Sequence, residues 1–293
     1  MLVKKTNALL IINPGSRMGA EANIQEGLEL LEAAGFNLIK TESKSTQNTA
    51  QLIDEHHAQI ELVIIGGGDG TINSAASALY RHKLALAILP LGTANDLARS
   101  LDIPNDLLAS FNIIANNNRR KMDLGVVDGH YFFNAANIGL GVSVTRELTA
   151  DLKKKWGVFS YLKAVLEAFK NNRTFRATIT VDGTLHRMNS IQIAVGNGRY
   201  YGGGNIIDEN ATIDDGLLQL YSLQPQSFWE LLSMAPLLRH GKHRQALRTF
   251  SAAGRNIAIT TLPLREVYAD GEPVSKTPVV FEVIPQALDV ICP

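Results

Sequence analysis

The feature that most constrains the fold is a glycine-rich turn between an apolar strand and a helix. The run Leu62-Val63-Ile64-Ile65 is entirely apolar, and Gly66-Gly67-Gly68-Asp69-Gly70-Thr71-Ile72-Asn73 follows it directly. Glycines let the backbone approach a ligand closely, and the N–H groups at a helix start, together with the Thr71 hydroxyl, attract negative charge. The turn therefore predicts a phosphate-binding site at the end of a parallel strand.

The acid within this turn narrows the prediction further. Asp69 would repel a bare phosphate, so it fits a phosphate site best if a divalent cation stands between the two, directly or through water. The turn is neither a Walker A motif, because no Gly-Lys-Ser/Thr follows, nor the dinucleotide GxGxxG pattern. The alternative is a plain tight turn in which Asp69 caps the helix.

A second polar turn follows the next apolar strand. It reads Pro90-Leu91-Gly92-Thr93-Ala94-Asn95-Asp96. Because such turns open onto the same carboxyl edge of a parallel sheet, we expect Thr93, Asn95 and Asp96 to reach the ligand that Asp69 reaches. By itself, Asn95-Asp96 would equally fit an ordinary helix start.

The first strand ends in a third turn, Asn13-Pro14-Gly15-Ser16-Arg17. It is short and polar, with one cation, and we expect it to hold a nucleotide phosphate at the same edge. Taken alone the turn is a weak signal, since many first strand-to-helix turns have this composition. Its value lies in its position beside the other two turns.

The first third of the chain alternates short apolar runs with helical patterns, which predicts an α/β domain with a parallel sheet. The predicted strands are Ala8–Ile12, Phe36–Thr41, Leu62–Ile65 and Leu86–Leu89. The predicted helices are Ala20–Ala34, one capped by Thr46, Ile72–Leu79 and one beginning near Asn95. This domain should bind the nucleotide.

After residue 121 the pattern changes to strand pairs. Asp-Gly dipeptides at 128–129, 182–183 and 270–271 each lie between runs suited to strands, which predicts hairpins and an antiparallel β-rich second domain. Two helical stretches, Val158–Lys170 and Gln226–Arg239, interrupt it. We expect domains at 1–122 and 123–293, with a last strand near 286–293 that returns to the first.

Charge and composition limit the partners. The 28 basic residues balance 28 acidic ones, so no global field attracts the protein to nucleic acid, and attraction to a membrane must be local. The single cysteine excludes an intrachain disulfide, and no segment approaches the ~18 to 20 apolar residues of a membrane-spanning helix. We expect a cytoplasmic protein that contacts the inner membrane face only transiently; the oligomeric state is undecided, with a homodimer as one alternative.

Together these motifs resemble the diacylglycerol kinase catalytic family, and within it the YegS-like bacterial lipid kinases. The resemblance rests on the three turns and on four later segments: Asp123-Leu124-Gly125, Gly196-Asn197-Gly198, Asp214-Asp215-Gly216-Leu217-Leu218-Gln219-Leu220 and Asp270-Gly271-Glu272-Pro273. It implies a fold like that of NAD kinases and diacylglycerol kinases, and a kinase that transfers the γ-phosphate of MgATP to a lipid hydroxyl. The Gly-Asp-Gly-Thr turn is shared with NAD kinases, so phosphorylation of a soluble ribose hydroxyl is an alternative, as is a non-catalytic nucleotide or lipid sensor.

The resemblance also implies roles for particular residues. ATP would contact Thr93, Thr41 and the turn made of Gly67, Gly68, Asp69, Gly70, Thr71, Ile72 and Asn73. A second-domain ion, Mg²⁺ or Ca²⁺, would bind Asp215 and the main-chain oxygens of Thr212 and Leu217. Glu272 would be the general base, with Asp270 as its competitor, and Asp69 with its cation should matter at least as much.

Overall fold

A computed structural model describes residues 5–16, 24–43, 45–140, 174–225 and 248–293. Its helices are α1 (Gln25–Ala33), α2 (Thr46–His56), α3 (Asp69–Asn73), α4 (Ala76–His82), α5 (Asp96–Ser100) and α6 (Leu107–Asn116), with a short 3-10 helix at His57–Gln59. Its strands are β1 (Thr6–Ile12), β2 (Phe36–Glu42), β3 (Leu62–Gly67), β4 (Ala85–Pro90), β5 (Arg119–Val127), β6 (His130–Phe132), β7 (Ala135–Gly139), β8 (Phe175–Val181), β9 (Thr184–Ser190), β10 (Gln192–Gly196), β11 (Tyr200–Tyr201), β12 (Asn205–Ile206), β13 (Leu218–Leu223), β14 (Thr249–Gly254), β15 (Asn256–Leu262), β16 (Glu266–Ala269), β17 (Glu272–Lys276) and β18 (Val279–Ile291).

The N-terminal part is a parallel sheet with helices on both faces. The strands lie in the order β2-β1-β3-β4, and all of these pairs are parallel. Alternate residues of each strand enter different cores, because side chains of a strand point to opposite faces. Leu9 and Ile65 pack with residues of α2 to α5 on one face, whereas Leu10 and Ile64 pack with α1 and α6 on the other.

The C-terminal part is a sandwich of two sheets. One layer continues the large sheet as β18-β15-β8-β9, with β5 on β18 and β6 on β5, and the other is a six-stranded antiparallel sheet, β14-β13-β10-β7-β16-β17. The two layers share a core in which Ile257 and Phe281 of the first meet Ile138, Ile193 and Leu220 of the second. None of the helices in the described ranges has both the length and the apolar character needed to cross a membrane.

Strand β18 belongs to both parts. Its N-terminal half pairs antiparallel with β15, and near its end Val290 lies opposite Leu86 of β4 in a parallel pair. Strand β5 accompanies it along both halves, with a register shift between Ile284 and Leu288. The large sheet therefore runs without interruption across residue 122, and the division into domains at that residue stays a prediction.

The predicted fold class, a parallel N-terminal sheet with an antiparallel C-terminal domain, is confirmed. The three Asp-Gly hairpins are confirmed as well, as the turns of β5–β6, β8–β9 and β16–β17. In each of them both turn residues have positive φ, for example 45° at Asp270 and 90° at Gly271. Asp and Gly tolerate that conformation best, which is why the dipeptide predicts the hairpin.

Two helix predictions were wrong in detail. The predicted helix Ile72–Leu79 is divided into α3 and α4, because the turn tightens where Ala75 N–H bonds to the Ile72 carbonyl and the Ser74 hydroxyl bonds to the Thr71 carbonyl. The cap of α2 is Ser45, whose Oγ accepts the Asn48 N–H at 3.2 Å, and Thr46 is the first helical residue. Residues 20–23, 158–170 and 226–239 of the other predicted helices lie outside the described residues.

Candidate active site

The two glycine turns after β3 and β4 are packed against each other. A Cβ atom placed on Gly92 would lie 2.5 Å from the Gly68 Cα, and one on Gly68 would lie 3.2 Å from the Gly92 Cα. Only glycine allows this separation. Asn95, at φ 51°, closes the second turn by accepting the Gly92 N–H on Oδ1 at 3.0 Å. The result is a cradle of backbone at the carboxyl edge of the sheet.

The turn after β1 joins the same edge. The Asn13 amide donates to the Thr71 hydroxyl at 2.8 Å, and Asn13 Oδ1 accepts the Gly15 N–H at 2.9 Å. The Asn13 backbone N–H bonds to the Gly66 carbonyl at 2.8 Å. The structure thus brings together the three turns that the sequence singled out, and side chains fix their mutual positions.

Asp69 and Asp96 bring two carboxylates to this edge. Asp69 Oδ1 accepts the Leu97 N–H at 3.1 Å, so it caps α5 rather than its own helix. Asp96 is 4% exposed, and its Oδ2 accepts the Gly203 N–H at 2.7 Å. Burial, and then the charge of Asp96, raise the pKa of Asp69 above its usual value. A cation bound beside both acids would offset the repulsion between them.

Asp270 is close enough for the charge of Asp69 to affect it, but its carboxylate is buried inside the protein. Its carboxylate accepts backbone N–H groups from Phe133 at 2.7 Å, Asn134 at 3.1 Å and Ala135 at 3.0 Å. Burial raises the pKa of Asp270 to about 6 against the lowering effect of these N–H groups, with a smaller raising effect from Asp69. Asp270 therefore ties the tip of the β16–β17 hairpin to the segment before β7.

Glu272 lies two residues further along the same hairpin. It is the first residue of β17, is exposed, and stands opposite Ala269 in the strand pair. Of the two candidate bases, Glu272 is therefore the one that is exposed to solvent.

The second-domain acids form a separate group. Asp215 accepts the Thr212 N–H at 3.2 Å and the Leu217 N–H at 2.9 Å, so these two residues contact it through their amides. Burial raises the pKa of Asp215, and the charges of Asp123 and Asp214 raise it further. Among the described residues no cluster of three or more His, Cys, Asp or Glu side chains is placed to hold a metal ion.

Other predicted ligand residues differ in what they can offer. Thr93 and Gly70 are exposed, and Gly70 has open space where a Cβ would stand. The Ile72 side chain is 1% exposed within the core, so only its backbone faces the turn. The Asn73 Oδ1 atom is buried and has no hydrogen-bond partner among the described residues, so it is a polar group that a ligand at this turn could satisfy. Thr41 is partly buried on β2, opposite Ile11.

Asp123, for which the sequence predicts no role, connects the segments around the second-domain acids. It is 1% exposed, and its carboxylate accepts the Gly216 N–H and the Gln286 N–H, both at 2.7 Å. It therefore joins the loop of Asp215 to the bend of β18. Its signal was the Asp-Leu-Gly segment itself, whereas the backbone cage around Asp270 has no sequence signal at all, since every residue has an N–H group.

Comparison with known proteins identifies the family of the chain. Residues 7–127 match the diacylglycerol kinase catalytic domain, and residues 136–292 match the YegS C-terminal NAD kinase beta sandwich-like domain. A protein of Yersinia enterocolitica named probable lipid kinase YegS-like is 34% identical, over 98% of this chain and 97% of its own. One of Pseudomonas aeruginosa with the same name is 31% identical, over 99% and 95%.

A solved structure titled as a diacylglycerol kinase from Bacillus anthracis superposes with a TM-score of 0.81 at 26% identity, and the match covers 99% of this chain and 98% of that one. The two matched domains and the relatives of 30% identity or more make the class plain. The chain belongs to the YegS-like lipid kinase family, which is built on a diacylglycerol kinase catalytic domain.

Proposed function

We propose that this protein transfers the γ-phosphate of MgATP to a hydroxyl group of a lipid. The observation that carries the proposal is the convergence of three strand-to-helix turns on one edge, where Asp69 and Asp96 lie within electrostatic reach of each other. Family membership supports the use of ATP and a lipid acceptor. The particular lipid and the metal are part of the proposal.

The cradle of Gly68 and Gly92 would receive the phosphates of ATP. The first N–H groups of α3 have no partner within the helix, and the missing Cβ atoms let phosphate oxygens come close. Asn13 and Thr71 are already joined by a hydrogen bond that fixes one wall. Thr93, exposed beside the cradle, would contact the phosphates, and Thr41 would contact the ribose or base.

Asp69 and Asp96 would hold Mg²⁺ together with phosphate oxygens and water. The bound ion supplies charge neutralisation along the triphosphate. The residues fit it, because burial and mutual repulsion already raise the pKa of Asp69. In the second domain, Asp215 would bind a structural Mg²⁺ or Ca²⁺ with carbonyls of Thr212 and Leu217, and its repulsion by Asp123 and Asp214 supports that assignment.

Glu272 would act as the general base. It would accept the proton of the lipid hydroxyl as the hydroxyl oxygen attacks the γ-phosphorus. A new P–O bond forms, the bond between the γ-phosphorus and the β–γ bridging oxygen breaks, and ADP leaves with that electron pair. The exposure of Glu272, beside the buried Asp270, supports this role, since a general base must be accessible to the acceptor.

The test is an assay with radiolabelled ATP, Mg²⁺, a total bacterial lipid extract and NAD in one mixture. We expect Mg²⁺-dependent label in a lipid, which mass spectrometry then identifies. Asp69→Asn should abolish transfer, whereas Asp54→Asn, which alters an exposed acid paired with Arg81, should leave it unchanged. Label only in NADP would mean a soluble ribose acceptor, and ATP binding without label in any acceptor would mean a sensor.

A further inference from the structure

Two arginines meet at one tyrosine beside the acidic edge. The Arg99 guanidinium lies over the Tyr200 ring at 5.6 Å from its centroid, and the Arg199 guanidinium lies over the same ring at 5.4 Å. Both distances are within the range of a cation–π contact. Because both contacts end on the same ring, the two guanidinium carbons lie no more than about 11 Å apart, and an anion bound between them would offset their repulsion.

The donors of these arginines are largely unused. Arg199 Nε is buried and has no hydrogen-bond partner among the residues that the structure describes. The only bond that Arg99 donates within the described ranges runs from Nη2 to the Ala94 carbonyl at 3.3 Å. In that same part of the chain neither arginine forms an ion pair. A guanidinium carries five N–H donors in a planar fork, and that fork matches phosphate oxygens two at a time.

The position of the pair connects it to the proposed site. Arg99 is three residues after Asp96 on α5, so both lie on one side of the helix. Asp96 accepts the Gly203 N–H, and a Cβ on Gly204 would lie 2.6 Å from Arg99 Nη1, so the glycine run after Tyr200 packs closely on α5. Arg99 thus lies on the same side of α5 as Asp96, beside the glycine run that follows Tyr200.

We propose that Arg99 and Arg199, held at Tyr200, form a phosphate-binding subsite next to the acidic edge. Its position as a substrate subsite rests on the proposed function, but its binding of phosphate does not. The phosphate could be the phosphodiester of a lipid headgroup or a phosphate of the nucleotide. Either one would present the oxygens that two neighbouring guanidiniums bind.

The experiment is isothermal titration calorimetry on the full chain, which requires no turnover. The probes are a water-soluble glycerophosphodiester and MgADP or MgATP, each titrated into wild type, the double variant Arg99→Gln/Arg199→Gln, and Arg199→Lys. Arg187→Gln, an exposed arginine on β9, is the matched control. Circular dichroism checks that each variant is folded. If the double variant does not fold, Arg199→Lys still tests the subsite, because lysine keeps the positive charge but lacks the planar fork of N–H donors.

We expect the double variant to bind the glycerophosphodiester at least about tenfold more weakly, with nucleotide affinity within twofold of wild type. Loss of nucleotide affinity instead would support the same subsite with the nucleotide as the source of its phosphate. The subsite is refuted if the double variant binds both probes within twofold of wild type. It is also refuted if Arg187→Gln loses as much affinity for the glycerophosphodiester as the double variant does. Binding that depends on the arginines in a protein without lipid kinase activity would refute the proposed function alone.

Discussion

Asp270 and Glu272 stand two residues apart on one hairpin, yet their carboxylates meet different surroundings. Asp270 is enclosed and accepts three backbone N–H groups, while Glu272 is exposed at the start of β17. The same functional group can therefore have two different roles. A buried carboxylate stabilises the fold through its hydrogen bonds, whereas an exposed one is accessible to a substrate. Two substitutions separate these roles.

Asp270 should make stability depend on pH. Its pKa in the folded protein is about 6, above the unfolded value near 3.8, so between these values the folded state holds a proton that the unfolded state has lost. The free energy of unfolding should therefore fall as pH rises through this window, by about 3 kcal/mol from this group. Urea unfolding at steps between pH 4 and 7 measures the slope.

Asp270→Asn should remove that part of the slope. Asp182→Asn is the matched control, because Asp182 occupies the same hairpin position and also accepts backbone N–H groups, from Arg255 and Asn256, but is exposed. The control should keep the wild-type slope. An identical slope in Asp270→Asn and wild type would contradict the assignment.

Glu272→Gln should lower kcat by about 100-fold or more, because a general base contributes at least that factor. Its free energy of unfolding should stay within about 0.5 kcal/mol of wild type, as for other exposed substitutions. Steady-state kinetics with the identified lipid and urea unfolding measure the two quantities. Glu26→Gln, an exposed acid on α1, controls for the loss of one charge; wild-type kcat in Glu272→Gln would rule out the base role.

The elements of the site are held by close contacts between turns, and each contact depends on the absence of a side chain. Gly68 and Gly92 approach each other at the sheet edge, and Gly27 of α1 lies under the Phe111 ring of α6, where an added Cβ would come within 2.1 Å of a ring atom. Both contacts are too close for a Cβ atom, but only the contact between Gly68 and Gly92 borders the predicted phosphate site.

Gly92→Ala should lower ATP affinity by about tenfold or more, because a Cβ would force apart the two turns that form the cradle. Gly27→Ala should lower the thermal midpoint and leave ATP affinity of the folded protein unchanged. Calorimetric titration with MgATP, performed below both midpoints, distinguishes the two effects. Equal ATP affinity in Gly92→Ala and wild type would place the nucleotide elsewhere.

At the scale of the whole molecule, β18 is the element that makes one unit of two sheets. It pairs with β15 and β5 in the sandwich and reaches β4 of the parallel sheet near Val290. Neither half can lose this strand without exposing core. We therefore expect unfolding in a single cooperative transition rather than in two steps.

Val290→Ala should lower the free energy of unfolding by about 2 kcal/mol and shift the whole transition, because the side chain is fully buried. Val280→Ala, on the same strand but 43% exposed, should change it by less than about 0.5 kcal/mol. Differential scanning calorimetry on both variants is the measurement. A second, unshifted transition in Val290→Ala would mean that the two sheets unfold independently.

The local features could be predicted from the amino-acid sequence: the alternation of strands and helices, the glycine turns after β3 and β4, and the Asp-Gly hairpins. Each of these features depends on residues a few positions apart, so the periodicity of the side chains and the backbone preferences of the residues predict it. The sequence also supported Asp69 and Asp96 as neighbours, because turns after adjacent parallel strands share one edge.

Which groups are enclosed and which are accessible depends on tertiary packing. The cage around Asp270 comes from backbone N–H groups more than 130 positions away, and backbone amides leave no mark in a sequence. Tyr200 meets Arg99 across about 100 positions, and β18 crosses between sheets. Such contacts arise when distant segments pack together, because burial and electrostatics act through space rather than along the chain.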